Sequence, residues 1–117
     1  MQLSTLIDGP LLTVIVDGRM DNNTAAGFDE TVRSALQQHD GINGVVLDLS
    51  SLTYLSSMGL RSLLMLQRLM DQKKMHLTLR NVGADIMEIL LGNHQYLTLQ
   101  SLSNLSYPQE LEQILAI

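Results

Sequence analysis

Two apolar, β-branched-rich runs, residues 3–7 and 11–17, flank Asp8-Gly9-Pro10, and every later segment alternates between helical and extended periodicity. Gly and Pro between two such runs favour a chain reversal, so the chain is predicted to open on an antiparallel hairpin. A helical pattern follows, with Ala25, Phe28, Val32, Ala35 and Leu36 on one face and Asp29, Glu30 and Arg33 on the other, stopping near Asp40-Gly41. Val45-Val46-Leu47-Asp48-Leu49 is a continuous apolar run of the kind buried on both sides in mid-sheet. A second helix is expected over residues 58–70, a strand of period two over 76–80, and a short helix over 84–91 that stops at Gly92-Asn93. Residues 96–99 read as a last strand, and Pro108 opens a C-terminal helix carrying Leu111, Ile114 and Leu115. The order β-β-α-β-α-β-α-β-α predicts one α/β domain over residues 1–117, its mixed sheet antiparallel in the first hairpin and mainly parallel afterwards. Thr78, Arg80, Thr98 and Gln100 alternate with leucines in the later strands, so the helices are expected mostly on one face.

Charge and composition exclude several functions. Seven bases against twelve acids give a net charge of −5, the wrong sign for direct binding of nucleic acid through its phosphates. The acids concentrate early: Asp8, Asp17, Asp21, Asp29, Glu30, Asp40 and Asp48 face only Arg19 and Arg33 within the first 50 residues, a solvated surface or a face for a basic partner. With three Tyr, one Phe and no Trp there are few platforms on which bases could stack. No Cys is present, so disulfides, thiolate metal sites and thiol nucleophiles are out. No apolar run approaches the roughly 20 residues of a membrane span, and the first residues lack a leader pattern, which predicts a soluble cytoplasmic protein. Glycine-rich phosphate cradles are missing, and His39, His76 and His94 lie in separate elements without metal-ligand spacing. The expectation is a protein that is not an enzyme, with no metal, no cofactor and no membrane insertion.

One stretch is different: VVLDLSSLTYLSSMGLRSLL, residues 45–64, in which Ser56-Ser57 falls just ahead of an apolar-periodic helix. A hydroxyl there can cap the free N–H groups of the first turn. The same position suits a phosphate, because orphan N–H donors and the positive end of the helix dipole face it, and Arg61 lies one turn on. On a helical projection Gly59, Leu60, Leu63, Leu64, Leu66 and Met70 form the expected core stripe, while Arg61, Arg68 and Gln72 point to solvent. Met58, Ser62, Met65 and Leu69 form a second stripe, either the flank of a wide buried face or a docking patch beside the serines. Asp21, followed by Asn22, Asn23 and Thr24, reads as a turn or cap residue.

These residues resemble the STAS domain, and in particular the small stand-alone anti-sigma factor antagonists of bacteria. The resemblance runs through the opening hairpin, Gly18-Arg19-Met20-Asp21, the strand ending in Asp48-Leu49-Ser50, the Ser56-Ser57-Met58-Gly59-Leu60 helix start, and Asn81-Val82-Gly83. It implies a partner-switching role, in which the unmodified antagonist binds a serine-kinase anti-sigma factor and so frees the sigma factor. Phosphorylation at the start of the second helix releases the kinase, and a PP2C-type phosphatase restores the antagonist. Aligning the family's Gly-Leu pair with Gly59-Leu60 puts the acceptor at Ser57, with Ser56 as the alternative; many members carry Asp at the position of Ser56 and a small residue at that of Met58. Asp21, Asn22, Ser56, Ser57, Met58, Gly59, Arg61, Ser62, Met65 and Leu69 are then the expected partner-binding residues of a monomer, with ATP and metal belonging to the partners. STAS domains also serve as non-catalytic subunits of stressosomes and of lipid- or anion-transport complexes, which is the alternative role.

Overall fold

Gly9 adopts a φ of 57°, which glycine reaches without a Cβ penalty, and the reversal closes there. Strands β1 (Gln2–Asp8) and β2 (Leu11–Met20) pair antiparallel from Asp8↔Leu11 to Gln2↔Asp17. This computed structural model describes residues 1–92. The strand predicted over 96–99, the C-terminal helix and His94 lie outside the described residues.

Helix α1 (Ala25–Gln38) leads from β2 to β3 (Gly44–Leu55), and α2 (Ser57–Gln72) leads from β3 to β4 (His76–Arg80), which is followed by α3 (Ala84–Gly92). The sheet order is β1-β2-β3-β4, with β2, β3 and β4 parallel. Both crossovers step across the sheet in the same direction. Right-handed crossovers of one direction place their helices on one face, so α1 and α2 share a side. Between them and the sheet lies the core: Phe28 and Val32 of α1 and Leu60, Leu63, Leu66 and Met70 of α2 cover Leu12, Val14, Val16, Val45, Leu47 and Leu49. Over the described residues the result is the α/β fold expected, a mixed sheet with an antiparallel first hairpin and α1 and α2 over one face.

The third strand departs from its expected form in two ways. It does not end at Leu49 but runs on to Leu55, and only its helix-facing side is sealed, since Val46 and Asp48 are half-buried. The register explains the length. Between Ile15↔Asp48 and Asp17↔Ser51, and again between Gly18↔Leu52 and Arg19↔Tyr54, β3 carries one more residue than β2. Each bulge shifts the alternation of side chains, which returns Leu52 and Leu55 to the core. Bulges break period two, so Ser50 to Tyr54 look like a loop in sequence.

On the face opposite α1 and α2, the Asp48 carboxylate accepts from Arg80 Nη2 and Asn81 Nδ2, each at 3.4 Å, and from Ser50 N–H at 3.0 Å. Burial pushes the Asp48 carboxyl up, but the bonds from Ser50, Asn81 and Arg80 outweigh it and hold the pKa below the ordinary aspartate value. A depressed folded-state pKa contributes stability above the unfolded value of about 3.9, and that contribution is lost as pH falls through the folded value. Asp48→Asn is therefore less stable than the wild type in urea titrations at neutral pH, and the gap narrows below about pH 4.

Candidate functional site

The C-terminal ends of β2 and β3 meet the start of α2. Ser56 N–H donates to the Met20 carbonyl at 2.9 Å, which ties the mouth of the helix to the end of β2. Gly59 sits in the first turn against the same carbonyl. A Cβ there would lie 2.8 Å from Met20 O and Leu55 Cδ1 and 2.9 Å from Met20 Cγ. Gly59 is therefore a residue of close approach, and it faces the interior.

The two serines have different tasks. Ser56 is the N-cap in extended conformation, and its hydroxyl oxygen accepts from Gly59 N–H at 3.1 Å. Ser57 is the first helical residue and is exposed to solvent. Losing the cap costs about 1 kcal/mol, so Ser56→Ala lowers the midpoint of chemical denaturation. Ser57→Ala, at an exposed position, changes the stability by less than about 0.5 kcal/mol and leaves the midpoint close to that of the wild type.

Asp21 builds the neighbouring turn. Its Oδ1 accepts from Asn23 N–H at 2.9 Å, and its carbonyl accepts from Ala25 N–H at 2.9 Å. Thr24 Oγ1 accepts from Asp21 N–H at 2.8 Å and donates to the Arg19 carbonyl at 2.9 Å. The N-cap of α1 is Thr24, without a side-chain cap bond, so Asp21 has the turn role and not the cap role. Because Met20 joins this turn to Ser56, Asp21 and exposed Asn22 lie at the same end of the molecule as Ser57.

Two further residues belong here. The Arg19 guanidinium stands 4.1 Å from the ring centroid of Tyr54, its partner across β2 and β3, and 3.8 Å from the Asp21 carboxylate. The pair extends the serine end with an exposed cation–aromatic platform worth on the order of 0.5–1 kcal/mol. Only the bulged register brings them together, so no spacing in the sequence signals it.

Along α2, Met58 and Met65 are 43% and 56% exposed, Leu69 is half-buried, and Arg61 is exposed. Ser62 does not share that surface. It is 4% exposed and donates to Asp29 Oδ2 at 3.3 Å, joining α2 to α1. The expected stripe is therefore divided, and Ser62, like Gly59, is a packing residue and not part of an accessible contact surface. The reason is α1, whose Asp29 reaches over the middle of the stripe.

Among the described residues no group of three His, Cys, Asp or Glu could hold a metal ion, and no helix is long and apolar enough to cross a membrane.

Among the described residues, a four-stranded mixed sheet with α1 and α2 on one face and a serine pair at the mouth of α2 define a small α/β domain of the STAS type. The family model described as Mlab, STAS domain matches residues 7–92, and the chain belongs to that family. Among solved structures it is similar to the unphosphorylated anti-sigma factor antagonist SpoIIAA, 12% identical with a TM-score of 0.70, over 99% of this chain and 96% of that one. The phosphorylated form of the Bacillus cell fate determinant SpoIIAA is 11% identical with a TM-score of 0.66, over 97% of both chains. A Moorella thermoacetica RsbS variant is 14% identical with a TM-score of 0.68, over 100% of both. At such identities the similarity is one of fold. No curated protein sequence matches the chain.

Proposed function

We propose that this protein is an anti-sigma factor antagonist of a bacterial partner-switching pathway, acting in the cytoplasm as a binding module without catalysis of its own. Its unphosphorylated form docks a serine-kinase anti-sigma factor through the end of the molecule that carries Asp21, Asn22, Ser56, Ser57, Met58 and Arg61, where the phosphate acts, while Met65 and Leu69, further along α2, extend the contact surface beyond its reach. Phosphorylation releases it, and a PP2C-type serine phosphatase returns it to the binding form. The observation that carries this reading is the division of labour between the serines. The Ser56 oxygen is engaged by Gly59 N–H, whereas Ser57 is exposed at the first helical position.

The chemistry fits that position. The Ser57 oxygen takes the γ-phosphoryl group of ATP held by the kinase, ADP leaves, and the hydroxyl proton passes to a base of the kinase. The new dianion faces the N–H groups of the first turn and the positive end of the α2 dipole, a favourable setting of about 0.3–1 kcal/mol that leaves the fold intact. Ser56 is the alternative acceptor, but modification there disturbs the cap. Mass spectrometry of the protein incubated with its kinase and ATP should find phosphate on Ser57, and Ser57→Ala should abolish it. Phosphate on Ser56 alone would overturn the assignment of the acceptor, and phosphate on neither would overturn the switch.

The exposure of Met58 and Met65 favours one other reading, a STAS subunit held permanently in a larger assembly such as a stressosome or a lipid- or anion-transport complex. That reading requires stable co-purification with the assembly and indifference to substitution at Ser57.

A further inference from the structure

The surface between α1 and α2 holds a groove of about 300 Å³ at some distance from the serines. Its floor is apolar: Phe28, Val32 and Leu66 close it from below, and exposed Met65 forms one wall. Arg33 of α1 and Arg68 of α2 both line it and are both exposed. Neither forms an ion pair among the described residues, whereas Arg19 and Arg80 are paired with Asp21 and Asp48. Two guanidinium groups with no ion pair among the described residues, flanking an apolar groove in a chain whose net charge is −5, form a local inversion of charge. The complement of such a site carries acids beside apolar side chains.

We propose that the α1–α2 groove docks an acidic amphipathic helix of a partner protein, and that it does so in both states of the serine switch. This rests on the partner-switching reading only for the second clause. A helical protein segment fits the site, because an open groove between two helices, floored by buried Phe28, Val32 and Leu66, receives apolar side chains spaced at i, i+3 and i+4. Asp29 also lines the groove, its carboxylate accepting the Ser62 hydroxyl at 3.3 Å, and against that one acid the two guanidinium groups leave the lining with one net positive charge. Independence from the switch follows from distance. Eleven residues separate Ser57 from Arg68 along α2, about 16 Å of rise, while the Debye length at physiological salt is about 8 Å. A phosphate on Ser57 is thus largely screened from the groove. A segment anchored there keeps the kinase near while the serine end binds and releases, which raises its effective concentration at each cycle.

The test uses the full chain and a displayed library of random 16-residue helical peptides, selected on the wild type and counter-selected on the Arg33→Glu/Arg68→Glu variant. The expected winners carry Asp or Glu together with Leu, Ile, Phe or Met at helical spacing. As synthetic peptides they should bind the wild type at least tenfold more tightly than the double variant. Replacing their acids by Lys should reverse the preference, Met65→Ala should weaken binding several-fold, and Ser57→Asp should leave it within twofold. Both arginines and Met65 are exposed, and circular dichroism melts establish that each variant folds. Winners without acids, binding unaffected by the charge reversal, or no winner at all would overturn the docking site, as would phosphatidylglycerol vesicles that bind the wild type through Arg33 and Arg68 when no peptide does. Groove binding that falls tenfold or more in Ser57→Asp would overturn independence from the switch alone. Phosphate mapping at Ser57 decides the partner-switching reading separately from either result.

Discussion

The Ser57→Asp variant should bind the proposed serine-kinase partner at least a hundredfold more weakly than the wild type in isothermal titration calorimetry, while Ser57→Ala should stay within about twofold. The size follows from desolvation. A carboxylate enclosed in a protein interface without a counter-charge costs several kcal/mol, and about 2.7 kcal/mol already amounts to a hundredfold. Arg61, one turn further along α2 and exposed, offsets part of that cost, so the loss stops short of abolition. The fold itself is not weakened, because a negative charge at the first helical position interacts favourably with the helix dipole. Unfolding of the variant should therefore occur within a few degrees of the wild type, which separates lost binding from lost structure. Equal affinity in the wild type and Ser57→Asp would remove the switch and leave the permanent-subunit reading.

Two glycine-to-alanine exchanges in helices should move stability in opposite directions. In a helix, Ala is better than Gly by about 1 kcal/mol. At Gly27, in α1, a Cβ would meet nothing within 4 Å, so Gly27→Ala gains most of that amount. At Gly59 the same gain is overridden. The Cβ would lie 2.8 Å from a backbone carbonyl, Met20 O, which cannot turn aside without giving up its bond from Ser56 N–H. Overpacking of this kind costs about 1–3 kcal/mol, and loss of the strand-to-helix tie adds to it. The net for Gly59→Ala is about 2 kcal/mol of destabilisation, roughly 10 °C in the melting temperature of a domain this size. Scanning calorimetry of the two variants checks both signs. A Gly59→Ala protein as stable as the wild type would mean that α2 is not seated against β2 as described.

Where one physical rule governs a segment, the sequence reading and the structure agree closely. Residues 76–80 alternate cleanly and form β4 over His76–Arg80, and the stripe of Leu60, Leu63, Leu66 and Met70 is buried along α2. Where two rules compete, they part. Ser50 and Ser51 carry turn-like chemistry, yet they lie within β3, because pairing with β2 continues through two bulges as far as Met20↔Leu55. Ser62 sits at helical spacing with Met58 and Met65, but α1 supplies Asp29 across it.

The sequence alone determined the alternation of strands and helices, the core stripes and the serine pair at a helix start, because these depend on periodicity and on residues within a turn of one another. Only the tertiary structure decided which serine is free, why position 59 must be glycine, and that Arg19 meets Tyr54. Each of those depends on how far α2 approaches the ends of β2 and β3, and that distance is set by bulges and by packing between segments more than thirty residues apart in the chain.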